Sequence, residues 1–394
     1  MLNIHLLRIL CIAALTGAFA VGAYSQISLQ PIILKESLQA PLDPSRSSLP
    51  TFQSGDPNAI LDGILDSVFR ANPVKGITTA VILPDGRVWK GARGIASQVP
   101  NDSLASSDLM GMGSISKSFT AAAIFKLVEA GKLSLDDTLG SYLPPWKNIN
   151  RKITLRQLLN HTSGLNNYTD NPQFWNQVNL NLSKVFEPEE ILANFVLAPL
   201  FSPGARWSYS NTNYLIAHYL IEKVSGKSYA AFVREALLDP AGLVHTYVYP
   251  WESPREKVAH LFYDIDGNGS LDDWQAEGLS LQGIFSSAGG AGCLMTDATD
   301  LARWMRALSS GQILSESSWK EMTAAVNVNT GRPTTGPGYG GGLIISYYQG
   351  KPYYGHDGNI FYQSVCFHFP GCGYTFAVQT NDADDERALS AFTN

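Results

Sequence analysis

The order of elements predicts an α+β fold: an antiparallel sheet flanked by helices, a mostly helical subdomain inserted into it, and a cleft between the two. Three observations carry this. Two strand-like runs, 76–83 and 87–95, flank the turn Pro84-Asp85-Gly86. From 114 to about 226 helical periodicity takes over, broken by loops rich in Gly, Pro and Asn. Strands then return at 342–348, 351–354, 363–369 and 374–380. The turns between these late runs are too short for parallel neighbours, so they pair antiparallel and supply partners for the early hairpin.

Taken in order, residues 1–25 read as a signal peptide. Arg8 precedes a short apolar stretch at 9–21, and small residues at Ala23 and Ser25 suit cleavage before Gln26. The stretch is too short to span a bilayer, so the mature protein is expected to be secreted or periplasmic, with no integral membrane span. Residues 26–55 are rich in Ser, Pro and Gln without periodicity and read as a flexible arm. The remainder, 56–394, reads as one domain, with the helical insertion at roughly 115–284. A helix is expected at 58–71 with Ile60, Ile64, Val68 and Phe69 inward. Others are expected at 114–130, stopped by Gly131; at 213–224, stopped by Ser225-Gly226; and at 297–308, with Asp297 or Thr296 as N-cap.

The 394 residues are 45% apolar and 16% charged, against a usual ~25% charged, which describes a globular chain with a sizeable core. A net charge of −6 argues against nucleic acid as a partner, since phosphate binding needs a basic surface. Loss of the leader removes Cys11 and leaves Cys293, Cys366 and Cys372. One disulfide is open to them, Cys366 and Cys372 being nearest in sequence. No His/Cys spacing suggests zinc, and no cofactor motif is present.

Chemistry-bearing residues concentrate at three places. Ser114 and Lys117 stand three positions apart at the start of the strongest helix, on one face of it. A lysine buried there gives up its proton readily and can take one from the serine, which is the content of an S-x-x-K motif. The spacing alone is weak, because Ser317 and Lys320 repeat it. Tyr209-Ser210-Asn211 forms a turn into the next long helix; a tyrosine acts as a base at neutral pH only beside cations, and Lys117 could supply one. His356-Asp357-Gly358, followed by Asn359, ends a strand.

These pieces, G-S-I-S-K-S-F-T, P-G-A-R-W-S-Y-S-N and G-H-D-G, resemble in order and spacing those of the serine β-lactamase and penicillin-binding protein superfamily. The resemblance is to its branch of class C β-lactamases, D-alanyl-D-alanine carboxypeptidases and family VIII esterases. It extends over roughly 62–381, with support from the stretches 153–165 and 287–293. The resemblance implies a β-lactamase-like fold and an exported serine hydrolase working through an acyl-enzyme on small esters, amides or peptides. It implies Ser114 as nucleophile, Lys117 as its proton acceptor or electrostatic partner, and Tyr209 as shared general acid/base. Asn211 would orient substrate and lysine. His356, Asp357, Gly358 and Asn359 would bind substrate, with the backbone N–H groups of Ser114 and Asn359 as oxyanion hole. The alternatives are a D-alanyl-D-alanine carboxypeptidase or β-lactamase, and a catalytically silent binding protein of the same fold. The partner is a small-molecule or peptide substrate; oligomeric state stays open.

His161 reads as a structural histidine bonding to backbone rather than a triad member, and no G-x-S-x-G elbow is present. The run from Asp264 to Gln275 resembles an EF-hand loop, with Asp264, Asp266, Asn268 and Asp272 as oxygen donors. Gln275 replaces the bidentate Glu, so a plain hairpin turn without metal is expected. Two features depart from the family pattern. Asp357 stands where relatives often carry Thr, Ser or Gly, and 382–392 has room for only a short version of the usual last helix.

Overall fold

The computed structural model describes residues 56–72 and 74–383. The expected leader, the 26–55 arm and all but the first two residues of the expected terminal helix lie outside the described residues.

An eight-stranded sheet runs in the order β3-β2-β1-β13-β12-β11-β10-β9, and every pair in it is antiparallel. Third in that order is β1 (Gly76–Ile82), buried along its whole length as its β-branched run requires. It turns through Asp85 and Gly86 into β2 (Val88–Ser97) and pairs on its other side with β13 (Tyr374–Thr380), Ala80 facing Ala377. β3 (Asp102–Ser103) closes one edge; β9 (Gly338–Tyr339), β10 (Ile344–Tyr348), β11 (Lys351–Ile360) and β12 (Tyr362–Phe369) complete the other half. A small sheet, β4-β8-β5 (Met110–Gly111, Leu294–Thr296, Thr246–Val248), lies beneath, and β6 (Phe262–Tyr263) pairs with β7 (Asp272–Asp273) in a hairpin.

Two of these strands depart from expectation at glycines, in opposite senses. β11 continues to Ile360 instead of ending at Tyr354, and β10 starts at Ile344 instead of Gly342. Glycine is a poor strand former, so Gly355 and Gly358 read as loop. In the fold they are points of close approach: a Cβ on Gly355 would sit 2.1 Å from the Cys366 carbonyl oxygen, and one on Gly358 2.0 Å from that of Met112. Gly342, at φ +71°, would bring a Cβ to 2.6 Å from the Lys117 carbonyl oxygen.

The principal helices are α1 (Pro57–Ala71), α2 (Ser116–Glu129), α3 (Leu155–Leu159), α4 (Pro172–Leu180), α5 (Pro188–Asn194), α6 (Asn211–Ser225), α7 (Gln282–Ala288), α8 (Ala298–Ser309) and α9 (Glu316–Met322). α1 covers one sheet face through Leu61 and Leu65, with Val68 and Phe69 at the margin; Ile60 and Ile64 stay half-exposed. The inward stripe is thus one residue further on than the periodicity suggested, and Gly91, which a Cβ would drive to 2.6 Å from Leu65, makes the space. α8, N-capped by the Asp297 side chain as expected, packs on the opposite face. α6 starts two residues earlier than expected and stops where Gly226 takes φ +71°.

α2 is the centre of the core, buried from Ser116 through Phe125 between sheet and helical part. Phe119 stacks on Trp304 of α8 at 3.8 Å, and Trp304 Nε1 donates to Ser118 Oγ. Ser114 itself is not in α2 but in the 3-10 turn Gly113–Ile115 that enters it, so the expected continuous helix from 114 is replaced by a tighter lead-in. The three described cysteines are free thiols. Cys366 faces the α8 side of the sheet and Cys372 packs on the α1 side, so the sheet itself separates the pair. Among the described residues no helix is long and apolar enough to cross a membrane.

Candidate active site

The 3-10 turn holds Ser114 at the boundary between the sheet and the helical part, and two side chains converge on its hydroxyl. Lys117 Nζ, one helical turn on, lies 2.9 Å from Ser114 Oγ. Tyr209 OH, delivered by the turn before α6, lies 2.8 Å from the same oxygen. The rest of the Lys117 amine is held by the Ala291 carbonyl oxygen at 2.8 Å, which gives the stretch 287–293 a definite task. Its Nζ also stands 4.8 Å over the Tyr209 ring and 5.8 Å over that of Tyr214.

Electrostatics divides the two partners. Lys117 is fully buried with no carboxylate in ion-pair contact among the described residues, and burial lowers its pKa well below the usual lysine value, with Asp357 acting in the opposite direction. Burial moves Tyr209 upward instead, away from phenolate. Burial thus favours the uncharged form of both groups, the opposite of the lysine cation and tyrosine base that the sequence suggests.

His356 is on β11 and buried, its Nε2 2.9 Å from Tyr339 OH. Burial lowers it to about 3, with Lys117 adding to the shift, so it is neutral at ordinary pH. Asp357 sits beside it, Oδ1 3.5 Å from His356 Nδ1, with a side chain 15% exposed. Burial raises its carboxyl to about 6, held back by hydrogen bonding to its own backbone N–H and by Lys117. With His356 neutral, the ring does not offset the Asp357 charge, and above about pH 6 the carboxylate is anionic. Gly358 meets the Met112 backbone, so its place is a packing contact; a Cβ on Gly113 would likewise lie 2.6 Å from Asn359 N. The exposed Asn359 accepts from Phe361 N at 2.9 Å through its side chain. Asn211 stands apart from this set. Its Nδ2 lies 3.4 Å from Thr169 Oγ1 and its backbone N bonds Asn167 Oδ1, with no hydrogen bond to Lys117, so the expected orientation of the lysine is supplied by Ala291 instead.

Tyr339, Trp207 and Tyr214 complete an aromatic enclosure around His161 beside Tyr209, and no motif spacing pointed to them. The EF-hand-like run is the loop of the β6–β7 hairpin. Asp264, Asp266 and Asp272 bring carboxylate oxygens within 4.8 Å of one another, but Asn268 Nδ2 donates to Asp266 and Gln275 turns inward to accept from Leu261 N.

An antiparallel sheet with a helical insertion, and a serine–lysine turn facing a tyrosine across the cleft, defines the serine β-lactamase and penicillin-binding protein fold. The Beta-lactamase family model matches residues 65–393, and the chain belongs to that family. It is 31% identical over 278 residues to Penicillin-binding protein 4* of Bacillus subtilis (strain 168), covering 66% of this chain and 60% of that protein. The chain therefore spans less than two thirds of that relative's length. It is 24% identical over 330 residues to Esterase EstB of Burkholderia gladioli, covering 77% of this chain and 83% of the esterase. Among solved structures, a D-stereospecific amidohydrolase from Streptomyces sp. superposes with a TM-score of 0.71 at 29% identity, over 86% of this chain and 98% of its own.

Proposed function

We propose that the protein is an exported serine hydrolase that acts through an acyl-enzyme on small esters, amides or peptides. The observation that carries this is the convergence of Lys117 Nζ and Tyr209 OH on Ser114 Oγ, at 2.9 and 2.8 Å, with the amine buried. Ser114 Oγ attacks the substrate carbonyl carbon while its proton passes to the uncharged Lys117 amine. The oxyanion is received by the backbone N–H groups of Ser114 and Asn359. Tyr209 then donates to the departing oxygen or nitrogen and is reprotonated by the Lys117 ammonium, leaving Ser114 acylated and the amine neutral. Water attacks the ester by the same route in reverse, releasing the acid. The names of the Burkholderia and Streptomyces relatives agree with ester and amide substrates.

Asp357 sharpens the choice of substrate. Like charges ~4 Å apart cost about 1 kcal/mol in water and about 4 kcal/mol at an effective dielectric of 20, which is several-fold to nearly a thousand-fold in affinity. An anionic Asp357 beside the acyl site therefore disfavours substrates with a carboxylate there, such as penicillins or a terminal D-alanine. Neutral and cationic esters and amides fit the reading; a carboxypeptidase or β-lactamase does not. The test is a fluorophosphonate probe followed by a panel of short esters, D-amino-acid amides, D-alanyl-D-alanine peptides and a cephalosporin. Labelling at Ser114 with ester or amide turnover is the expected result. An unlabelled, folded protein would make it a silent binder, and efficient β-lactam or D-alanine-peptide cleavage would return those activities to first place.

A further inference from the structure

His161 occupies an unusual place. It follows α3 and takes a left-handed backbone conformation, φ +61°, at a position where helix ends ordinarily carry Gly or Asn. Such strain in a bulky residue persists only where the surroundings enforce it. Here the surroundings are the two residues on either side of Tyr209. Ser208 N donates to the His161 carbonyl oxygen at 3.0 Å, and Ser210 N donates to His161 Nδ1 at 3.2 Å. Between these two bonds the imidazole lies against the Tyr209 ring, centroids 4.4 Å apart. Asn213 Nδ2 approaches the same Nδ1 at 2.9 Å, and Asn213 is itself fixed by Ser163 Oγ at 2.7 Å.

A backbone N–H can only donate, so Nδ1 carries a lone pair and the ring proton sits on Nε2. Nε2 is buried without a hydrogen-bond partner, and no carboxylate pairs with the ring among the described residues, which removes the proton-relay geometry of a triad.

We propose that His161 is the positioning residue for Tyr209: its carbonyl oxygen and Nδ1 clamp the backbone on both sides of the tyrosine, and its ring fixes the phenol on Ser114. This rests on the proton-transfer role of Tyr209 proposed above. Because the clamp works through an acceptor in a left-handed residue, asparagine is its natural substitute. Asparagine tolerates φ near +60° and places Oδ1 close to where Nδ1 stands.

The experiment measures kcat and KM for a p-nitrophenyl ester, with melting temperatures, in Tyr209→Phe, His161→Ala, His161→Asn and the double variant Tyr209→Phe/His161→Ala. The expected result has three parts. His161→Ala lowers kcat at least ~10-fold with KM changed less than ~2-fold; His161→Asn recovers most of that loss; and His161→Ala costs little further once Tyr209 is Phe, as residues acting as a unit are non-additive. A folded His161→Asn variant that loses as much kcat as Tyr209→Phe overturns the proposal, whether or not the alanine variant folds. So does a His161→Ala loss of the same size with and without the tyrosine hydroxyl. An impaired Tyr209→Phe enzyme beside a His161→Ala enzyme of normal kcat overturns this proposal alone. A Tyr209→Phe enzyme of undiminished kcat overturns the role of Tyr209 and the clamp with it.

Discussion

The chain contains the same four-residue spacing twice, and the two copies have different fates. Ser114 and Lys117 sit where a 3-10 turn enters a helix buried on all sides; the lysine is 0% exposed and its amine lies against the serine hydroxyl. Ser317 and Lys320 are in α9, both exposed, and Ser317 Oγ meets only Ser315 Oγ, at 3.1 Å. Both pairs satisfy the geometry of a helix face. Only the first is also enclosed by protein, where burial disfavours the charged form of the amine. The difference teaches that spacing proposes a pair and the packing around it decides whether the two side chains meet.

The strongest way to break that comparison is to delete each serine. Ser114→Ala should reduce ester turnover at least ~10³-fold, as loss of a nucleophile does, and Ser317→Ala should leave it unchanged. Reversed results in a p-nitrophenyl ester assay would falsify the assignment. Next in size is Tyr209→Phe. The ring contacts with His161 and Lys117 remain while the proton donor goes, so turnover should fall ~10²-fold or more at an unchanged melting temperature.

A third effect, several-fold, concerns Asp357. Asp357→Thr should shift relative kcat/KM from neutral esters toward penicillins. In the unmodified enzyme, discrimination against carboxylate substrates should weaken as pH falls through about 6, where the carboxyl takes up a proton. A discrimination flat from pH 8 to 5 would count against the residue. The fourth concerns the burial of Lys117, read through stability. The folded-state pKa of Lys117 is depressed, so below the unfolded lysine value of ~10.4 the unfolded chain takes up a proton that the folded one refuses. Stability is therefore lost as pH falls from that value toward the folded one. Relative to wild type, Lys117→Met should therefore gain stability as pH falls from 10 to 7. Urea titrations at the two pH values read this directly. Smallest of all, a chelator should leave the melting temperature unchanged, since Gln275 is spent on Leu261 N; a drop of several degrees restored by calcium would make the 264–275 loop a metal site.

The parts of the molecule legible in the sequence are those set by local pattern. β1 declared itself through consecutive β-branched residues, α8 through its Asp297 cap, and the ends of α2 and α6 through Gly131 and Gly226. Ser114, Lys117 and Tyr209 were legible as motifs, and the fold places them together. What escaped depends on contact between distant segments. Gly355 and Gly358 read as strand breakers, yet β11 passes through them because another backbone occupies the space of their side chains. Tyr339 has no motif of its own and matters only because β9 brings it to His356. The role of Asn211 was taken from resemblance, whereas the local turn aims its amide at Thr169.

The close approaches of Gly113, Gly342 and Gly358 have a consequence for anyone who would evolve this protein in the laboratory. At each, a single methyl group would collide with main chain: Asn359 N at 2.6 Å, Lys117 O at 2.6 Å and Met112 O at 2.0 Å. In a saturation library these codons are dead columns, whatever selection is applied, because main chain cannot retreat as a flexible side chain can. The frame of the cleft is therefore fixed at the level of the genetic code, and new selectivity has to be written in its furnishings, at codons such as 211, 357 and 359.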